Sequence, residues 1–305
     1  MSILPAMVSR LAAPTSANAY LFLVITNAAW AGNFVVGRAV AGQVPPMTLA
    51  FLRWTGASVL ILLVAWRSLG EEWPLVRRHW ALLVLLGVLG SGTFNTLQYI
   101  ALTDTTATNA AVINSSGPVL IAIAAFLLNG ERIGARQALG IAISLAGVLV
   151  VMSRGEPLHL LAMTFNRGDV VMLAAMVTWA AYTAMLKRRP AISSLTLAAV
   201  TYVVAAGLNL PLSAWEIASG AHVSTSVGAV LAILYTAVFP SFLAYLCFNR
   251  GVEIIGGTRA GVFLHLVPLI GSALAFLFLG EQPHVFHAVG FAAIVAGVLL
   301  AARGK

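Results

Sequence analysis

The feature that most constrains this sequence is an internal repeat that covers much of the chain. Residues 108–151 align with residues 258–301 at a constant offset of 150, and further upstream Trp30 aligns with Trp179. The paired positions are Pro118 with Pro268, Gly130 with Gly280, Glu131 with Glu281, Gly140 with Gly290 and Gly147 with Gly297. Two repeats of this length within one apolar chain are typical of secondary transporters.

The composition places the chain in a lipid bilayer. Hydrophobic residues make up 60% of it and charged residues only 9%, whereas soluble domains carry about 25% charged residues. Ten apolar segments are each close to the roughly 20 residues that a helix needs to cross the hydrocarbon core. These predicted spans are 19–39, 47–67, 81–101, 107–129, 134–152, 169–187, 195–214, 227–248, 257–279 and 285–302.

Each repeat holds five of these spans, and this odd number determines how the two halves are related. The second half must enter the membrane upside down relative to the first, which gives a pseudo-two-fold axis in the membrane plane. We therefore predict an all-α membrane protein in which ten transmembrane helices form two inverted five-helix repeats around a central cavity. The predicted segments are a cytoplasmic tail at 1–18, a first repeat at 19–152, an external linker at 153–168, a second repeat at 169–302 and a cytoplasmic C-terminus at 303–305.

The positive charges predict the orientation of the chain in the membrane rather than a nucleic-acid partner. The net charge is +8. If the N-terminus is cytoplasmic, thirteen Lys and Arg residues lie in inner segments, three lie in outer loops and Arg53 lies within a span. Cytoplasmic loops of membrane proteins carry the excess of Lys and Arg, so both termini are expected in the cytoplasm.

Proline and glycine residues recur at matched positions in the two halves. Pro118 and Pro268 lie near the middle of spans four and nine. A proline within a helix removes a backbone hydrogen bond and bends the helix, so these two are candidate hinges that curve their helices around the cavity. Pro240 in span eight is either a third such bend or a simple packing kink. The paired glycines of spans five and ten are expected to allow close helix packing.

Polar and aromatic side chains inside the spans are the main clue to a binding site. Amides and hydroxyls are costly to expose to lipid, so they either join helices or line a path through the protein. Trp30 and Trp179 lie in mid-span, unlike the tryptophans near span ends, such as Trp54, that fit the interfacial belt. The residues predicted to bind substrate are Trp30, Asn33, Tyr99, Asn114, Trp179, Tyr182 and His265.

Two basic side chains within the spans leave alternatives open. Arg53 either snorkels to the membrane surface or receives a substrate carboxylate. His265 either faces the cavity, where it would bind substrate or couple transport to protons, or is a hydrogen-bonded packing residue.

All nine acidic residues fall in loops or at span ends, and Glu131 and Glu281 are interpreted as helix-end residues. Buried acids within spans usually bind cations or relay protons, so their absence favours transport driven by the substrate gradient. No spacing of side chains predicts a metal site, a catalytic residue or a cofactor.

The doubled pattern Pro118…Gly130-Glu131…Gly140…Gly147 and Pro268…Gly280-Glu281…Gly290…Gly297 resembles the EamA repeat of the drug/metabolite transporter superfamily. Within it, the chain is most similar to the bacterial aromatic amino acid exporters. The resemblance implies ten helices in two inverted halves and export of small molecules such as amino acids across the inner membrane. A proton-coupled exporter of drugs or other small metabolites is the alternative function.

Other classes of membrane protein fit less well. An enzyme would need a catalytic motif such as GxSxG or GxxxxGK, and a channel would need a filter or a ring of charges. The expected partners are a small-molecule substrate and the lipid bilayer. No obligate protein partner is expected, because the internal repeat already supplies both halves.

Overall fold

The computed structural model describes residues 15–39, 42–105, 113–156, 166–278 and 284–303, together with positions 110 and 158. Regular structure in these residues is helical throughout. The helices are α1 (Ser16–Ala39), α2 (Pro46–Arg78), α3 (Trp80–Asp104), α4 (Gly117–Asn129), α5 (Ala135–Met152), α6 (Arg167–Met185), α7 (Ser194–Ala218), α8 (Val227–Ile255), α9 (Gly257–Val262), α10 (Leu266–Phe278) and α11 (Val285–Ala302).

Seven helices in the described part of the chain are long and apolar enough to cross a membrane. They are α2, α3, α5, α6 with the turn that follows it, α7, α8 and α11. The helical membrane fold is therefore as predicted, and the larger number of ten spans stays a prediction.

Helix α2 is longer than the predicted span at 47–67, because it continues to Arg78. Charged residues that follow position 67 mark the end of the hydrocarbon-facing segment, but they do not end the helix. Val76 in the extension is buried, and the Glu72 carboxylate accepts hydrogen bonds from the Ser193 backbone and hydroxyl at 2.9 and 3.0 Å. The extension therefore ties the end of α2 to the start of α7.

The two matched prolines lie in the first turns of helices rather than in helix interiors. Pro118 follows a turn at positions 115–116 and lies at the start of α4, and Pro268 follows the 3₁₀ turn Phe263–His265 and lies at the start of α10. A first-turn proline loses no intrahelical hydrogen bond. Each helix is therefore interrupted just before its proline, rather than bent at the proline as predicted. Positions 107–109 and 111–112 of span four lie outside the described residues, as do Gly280 and Glu281 of the second repeat.

Two π-helical segments also occupy equivalent positions in the repeats. Gly87–Thr93 interrupts α3 and Ala237–Leu243 interrupts α8, at an offset of 150. In the second segment Pro240 lacks an N–H group, and the carbonyl of Thr236 instead accepts a hydrogen bond from the Ser241 hydroxyl at 2.6 Å. Wider turns of this kind are often found at functional sites.

The close packing predicted for the glycines of spans five and ten is confirmed. A Cβ atom added at Gly140 would lie 2.7 Å from the carbonyl oxygen of Gly297, and one added at Gly147 would lie 2.7 Å from that of Gly290. Position 140 of α5 meets position 297 of α11, and position 147 meets position 290. Residue numbers therefore rise along one helix as they fall along the other, so the two helices are antiparallel.

Other helix contacts are exchanged between the repeats in the same way. Helix α1 of the first repeat packs on α8 of the second, and its equivalent in the second repeat, α6, packs on α3 of the first. In the same way α1 packs on α10, and α6 packs on α4. Helix α2 packs along α7 and is fixed at both ends, because the Glu216 carboxylate accepts hydrogen bonds from the Thr48 backbone and hydroxyl at 2.8 Å. The centre of the molecule therefore lies where α1, α3, α6 and α8 meet.

Candidate functional site

A small internal cavity of about 30 Å³ lies where the two repeats meet. A space of this size holds a water molecule but not a metabolite, so the cavity is closed in this conformation. Its wall combines indole rings, amides and aliphatic side chains from both halves of the chain. The lining residues are Trp30, Asn33, Phe94, Asn95, Gln98, Asn114, Trp179, Leu264 and Val267.

The aromatic part of the wall is centred on the two repeat-related tryptophans. Trp30 and Trp179 meet edge to face with their ring centroids 5.2 Å apart, a favoured geometry for aromatic pairs. Phe94 and Phe248 extend the cluster, at 5.0 and 4.8 Å from Trp179. Trp30 Nε1 donates to the carbonyl of Pro240 at 3.0 Å, so the π segment of α8 helps to orient this ring.

Four of the seven predicted binding residues line this cavity, namely Trp30, Asn33, Asn114 and Trp179. The structure places the other three elsewhere. The Tyr182 hydroxyl donates to Asn249 Oδ1 at 2.6 Å, and its ring packs on Gly90, where an added Cβ would lie 2.4 Å from it. Tyr99 and His265 have partners of their own.

His265 is fully buried where the two broken helices cross. Its Nδ1 lies 2.7 Å from the Ser144 hydroxyl, and its Nε2 lies 2.9 Å from the carbonyl of Ser115. A carbonyl only accepts, so Nε2 carries the proton of this bond. Since Ser115 and His265 are 150 residues apart, the ring joins equivalent points of the two repeats and directs neither nitrogen to the cavity.

Arg53 does not snorkel, and that interpretation is wrong. Its side chain is only 1% exposed, and it donates from Nε to the Ser241 hydroxyl at 2.7 Å and from its terminal nitrogen to the Tyr99 hydroxyl at 2.6 Å. Trp54 is likewise fully buried rather than interfacial. The Tyr99 hydroxyl also lies 3.4 Å from Asn33 Oδ1, which connects this network to the cavity wall.

A much larger space of about 700 Å³ opens at the face where α4, α6 and α8 end, which is the face predicted to be cytoplasmic. Its charged residues form two ion pairs, Lys187 with Glu131 at 2.6 Å and Arg189 with Glu253 at 2.8 Å. Arg132 and Arg259 also line it, and neither has a carboxylate partner among the described residues. We call this space the vestibule.

Contacts between loops bridge the opposite face. The loop between α1 and α2 meets the loop between α7 and α8, where Ser224 N donates to the carbonyl of Gln43 at 2.8 Å. The Ser226 hydroxyl bonds the Gln43 side chain at 2.9 Å. The two faces therefore differ, since one holds a wide vestibule and the other holds interloop hydrogen bonds.

Sequence reasoning missed the π segments that shape the cavity. Their carbonyls accept from aromatic donors at the centre, because the Tyr245 hydroxyl donates to Gly90 at 3.1 Å and Trp30 donates to Pro240 at 3.0 Å. A signal was present, since the glycines at 87, 90 and 92 align with a segment that contains Pro240. Both patterns weaken a regular α-helix at the same repeat position.

Membrane-crossing helices that enclose a polar and aromatic cavity, with a vestibule at one face, define a small-molecule membrane transporter. A model of the EamA-like transporter family matches residues 17–153 and 166–303. The chain therefore belongs to the EamA-like transporter family, as the repeated motif predicts, and it is a transporter rather than an enzyme.

Related transporters are similar to this chain over almost its full length. An uncharacterized transporter of Archaeoglobus fulgidus is 31% identical over 92% of this chain and 96% of its own. A probable terminal-alkyne amino-acid exporter of Streptantibioticus cattleyicolor is 26% identical over 92% of each chain. A solved crystal structure with 19% identity superposes with a TM-score of 0.74, covering 93% of this chain and 96% of its own, and so shares the fold.

Proposed function

We propose that the protein exports aromatic and other neutral amino acids from the cytoplasm across the bacterial inner membrane by alternating access. The observation that carries this proposal is the pair of tryptophans that face each other, 5.2 Å apart, across the boundary between the repeats. Indole rings suit an apolar side chain, and the amides of Asn33, Asn95 and Asn114 suit a polar amino acid head group.

The pattern of contacts supports two inverted halves. Gly140 contacts Gly297, and Gly147 contacts Gly290. Gly140 is equivalent to Gly290 and Gly147 to Gly297, so the second contact is the first with the two repeats exchanged. A two-fold axis between two copies produces this exchange. Since α5 and α11 end the two repeats and run antiparallel, the axis is expected to lie in the membrane plane, as in other inverted-repeat transporters.

The two faces support an arrangement that is open to the cytoplasm. The vestibule of about 700 Å³ lies at the face with the excess of positive charge, while Gln43 and Ser226 join the loops at the other face. Substrate would enter from the vestibule and expand the small cavity. The breaks before Pro118 and Pro268 are then the hinges about which the halves rock.

The positions of the acids support transport driven by the substrate gradient. Among the described residues, the carboxylates of α6, α7 and α8 lie within the first or last turns, at Asp169, Glu216 and Glu253. A proton-coupled transporter usually places such a group deep in the membrane. The similarity to the Streptantibioticus relative, which is named a probable terminal-alkyne amino-acid exporter, further supports the substrate class.

Counterflow in proteoliposomes tests this function. Purified protein would exchange labelled tryptophan, labelled threonine or a hydrophobic organic cation, first at equal pH on both sides and then with a pH step. We expect saturable exchange of the amino acids that the pH step leaves unchanged. Transport of the cation alone, or amino acid flux that requires the pH step, would refute the proposal.

A further inference from the structure

Arg53 is a buried cation whose charge has no counterion in the described part of the protein. Its side chain is 1% exposed, and it lies about two helical turns from the N-terminal end of α2. The ion pairs of the described residues do not include it. Removing an unpaired cation from water is unfavourable, so its presence here needs a reason.

The surroundings of the guanidinium compensate its charge only in part. Hydroxyls of Ser241 and Tyr99 accept two of its hydrogen bonds, and its central carbon lies 5.2 and 5.6 Å from the rings of Trp54 and Tyr99. A guanidinium has five N–H groups arranged to bind a carboxylate through two parallel bonds. The remaining N–H groups have no acceptor among the described residues.

The repeat indicates that helix packing does not require this arginine. Thr48-Leu49-Ala50 aligns with Thr196-Leu197-Ala198, an offset of 148, so the counterpart of Arg53 is Thr201. Thr201 is fully buried and bonds the carbonyl of Leu197 in its own helix at 2.9 Å. The same position therefore packs well with a small neutral residue, and Arg53 breaks the symmetry of the two halves.

Arg53 is also connected to the central cavity. Its bond to the Tyr99 hydroxyl continues to Asn33 Oδ1 at 3.4 Å, and Asn33 lines the cavity beside Trp30. Arg53, Tyr99 and the end of α1 lie toward the face where the loops meet. We propose that Arg53 receives the carboxylate of the transported molecule on its way from the cavity to that face, so that the substrates are carboxylates. The transport step in this inference rests on the proposed function.

The first test compares ligands on the unaltered protein. Thermal unfolding of the purified protein in detergent would be followed with tryptophan, indole-3-propionate, tryptophanamide and tryptamine. The first two carry a carboxylate and the last two do not. We expect the two carboxylates to stabilise the protein at concentrations at least about tenfold lower, because a charged hydrogen bond is lost without the carboxylate. Equal binding of tryptophan and tryptophanamide would overturn the inference.

Variants then assign the preference to Arg53. Arg53→Gln is expected to weaken tryptophan binding by roughly 10- to 100-fold and to abolish the difference from tryptophanamide. Arg53→Lys keeps the charge but cannot form two parallel hydrogen bonds with a carboxylate, so its affinity for tryptophan should lie between those of the unaltered protein and Arg53→Gln. Arg67→Gln, on the exposed part of the same helix, is the matched control and should behave as the unaltered protein. A carboxylate preference retained in Arg53→Gln would overturn the inference.

The design separates this inference from the proposed function. If Arg53→Gln does not fold, the ligand series on the unaltered protein and on Arg53→Lys still decides the question. Carboxylate preference without tryptophan counterflow would leave the role of Arg53 standing and remove amino acid export. Tryptophan counterflow without carboxylate preference would leave amino acid export standing and remove the role of Arg53.

Discussion

The two central tryptophans occupy equivalent repeat positions but differ in hydrogen bonding. Trp30 Nε1 donates to Pro240, whereas Trp179 Nε1 is buried without an acceptor among the described residues. The acceptor equivalent to Pro240 is the carbonyl of Gly90, and the Tyr245 hydroxyl occupies it at 3.1 Å. Trp179 Nε1 is therefore a hydrogen-bond donor that the described residues leave unpaired, on a residue that lines the cavity.

Trp30→Ala is expected to raise the KM for tryptophan exchange several-fold, by about 2- to 10-fold. The substitution removes an aromatic wall, and an aromatic pair contributes about 0.5–1.5 kcal/mol beyond its burial of apolar area. The fold should survive, because Trp30 is only partly buried. Counterflow kinetics measure the effect, with Trp66→Ala as the control because Trp66 is 62% exposed. An unchanged KM in Trp30→Ala would contradict the assigned cavity.

Sequence alone identified mid-membrane polar residues but not the direction of every side chain. Trp30, Asn33, Asn114 and Trp179 line the cavity, and their predicted contact with substrate stays a prediction. His265 was predicted there too, yet it lies in a 3₁₀ turn, where each residue rotates farther around the axis than in an α-helix. The turn has no sequence signal of its own, so the phase of the helix at that point was not predictable.

At the scale of helices, the repeat places irregular backbone at the same points in both halves. The π segments of α3 and α8 and the breaks before α4 and α10 all surround the central cavity. Irregular backbone at membrane depth is tolerated only where protein or a cavity satisfies it. Pro118 and Pro268 indicated the two breaks from sequence, and Pro240 marked one π segment as a bend or a packing kink, but the π segment of α3 contains no proline and was missed. Hydropathy did not reveal whether a helix would bend, widen or stop.

Close packing of α5 against α11 predicts a large effect of one methyl group. Gly140→Ala would place a Cβ 2.5 Å from the backbone nitrogen of Ala301, and backbone atoms cannot rotate away. We expect a loss of stability of about 1–3 kcal/mol, as for overpacking of protein cores. Thermal unfolding in detergent measures it.

Gly207→Ala in α7 is the matched control, because no atom of another helix lies within 4 Å of its added Cβ. This change should leave stability unchanged or raise it by about 0.5–1 kcal/mol, since alanine favours a helix. Equal unfolding temperatures for Gly140→Ala and Gly207→Ala would show that the glycine contact does not limit the distance between α5 and α11.

At the scale of the whole molecule, the sequence predicted the organisation better than the details. The offset of 150 and the odd number of spans predict two halves of opposite orientation, and the exchanged contacts of α5 and α11 agree with that arrangement. The size of the cavity was not predictable. It depends on how far the two halves are closed, which a sequence of side chains does not specify.

The orientation of the chain predicts which residues a membrane-impermeant thiol reagent reaches. In a Cys247→Ser background, Ser219→Cys should react in intact cells, because the loop between α7 and α8 is predicted to be external. Glu71→Cys should react only after permeabilisation. Both native side chains are exposed in the structure, so burial does not bias the comparison. Reaction of Glu71→Cys in intact cells would reverse the assigned topology.

Alternating access requires the two loops at the bridged face to separate in each transport cycle. Gln43 belongs to the first half and Ser226 to the second, and their side chains lie 2.9 Å apart. The decisive measurement is tryptophan counterflow by Gln43→Cys/Ser226→Cys in a Cys247→Ser background, before and after cross-linking of the two thiols. Alternating access predicts that cross-linking stops exchange and that a reductant restores it. Unchanged exchange by fully cross-linked protein would contradict it.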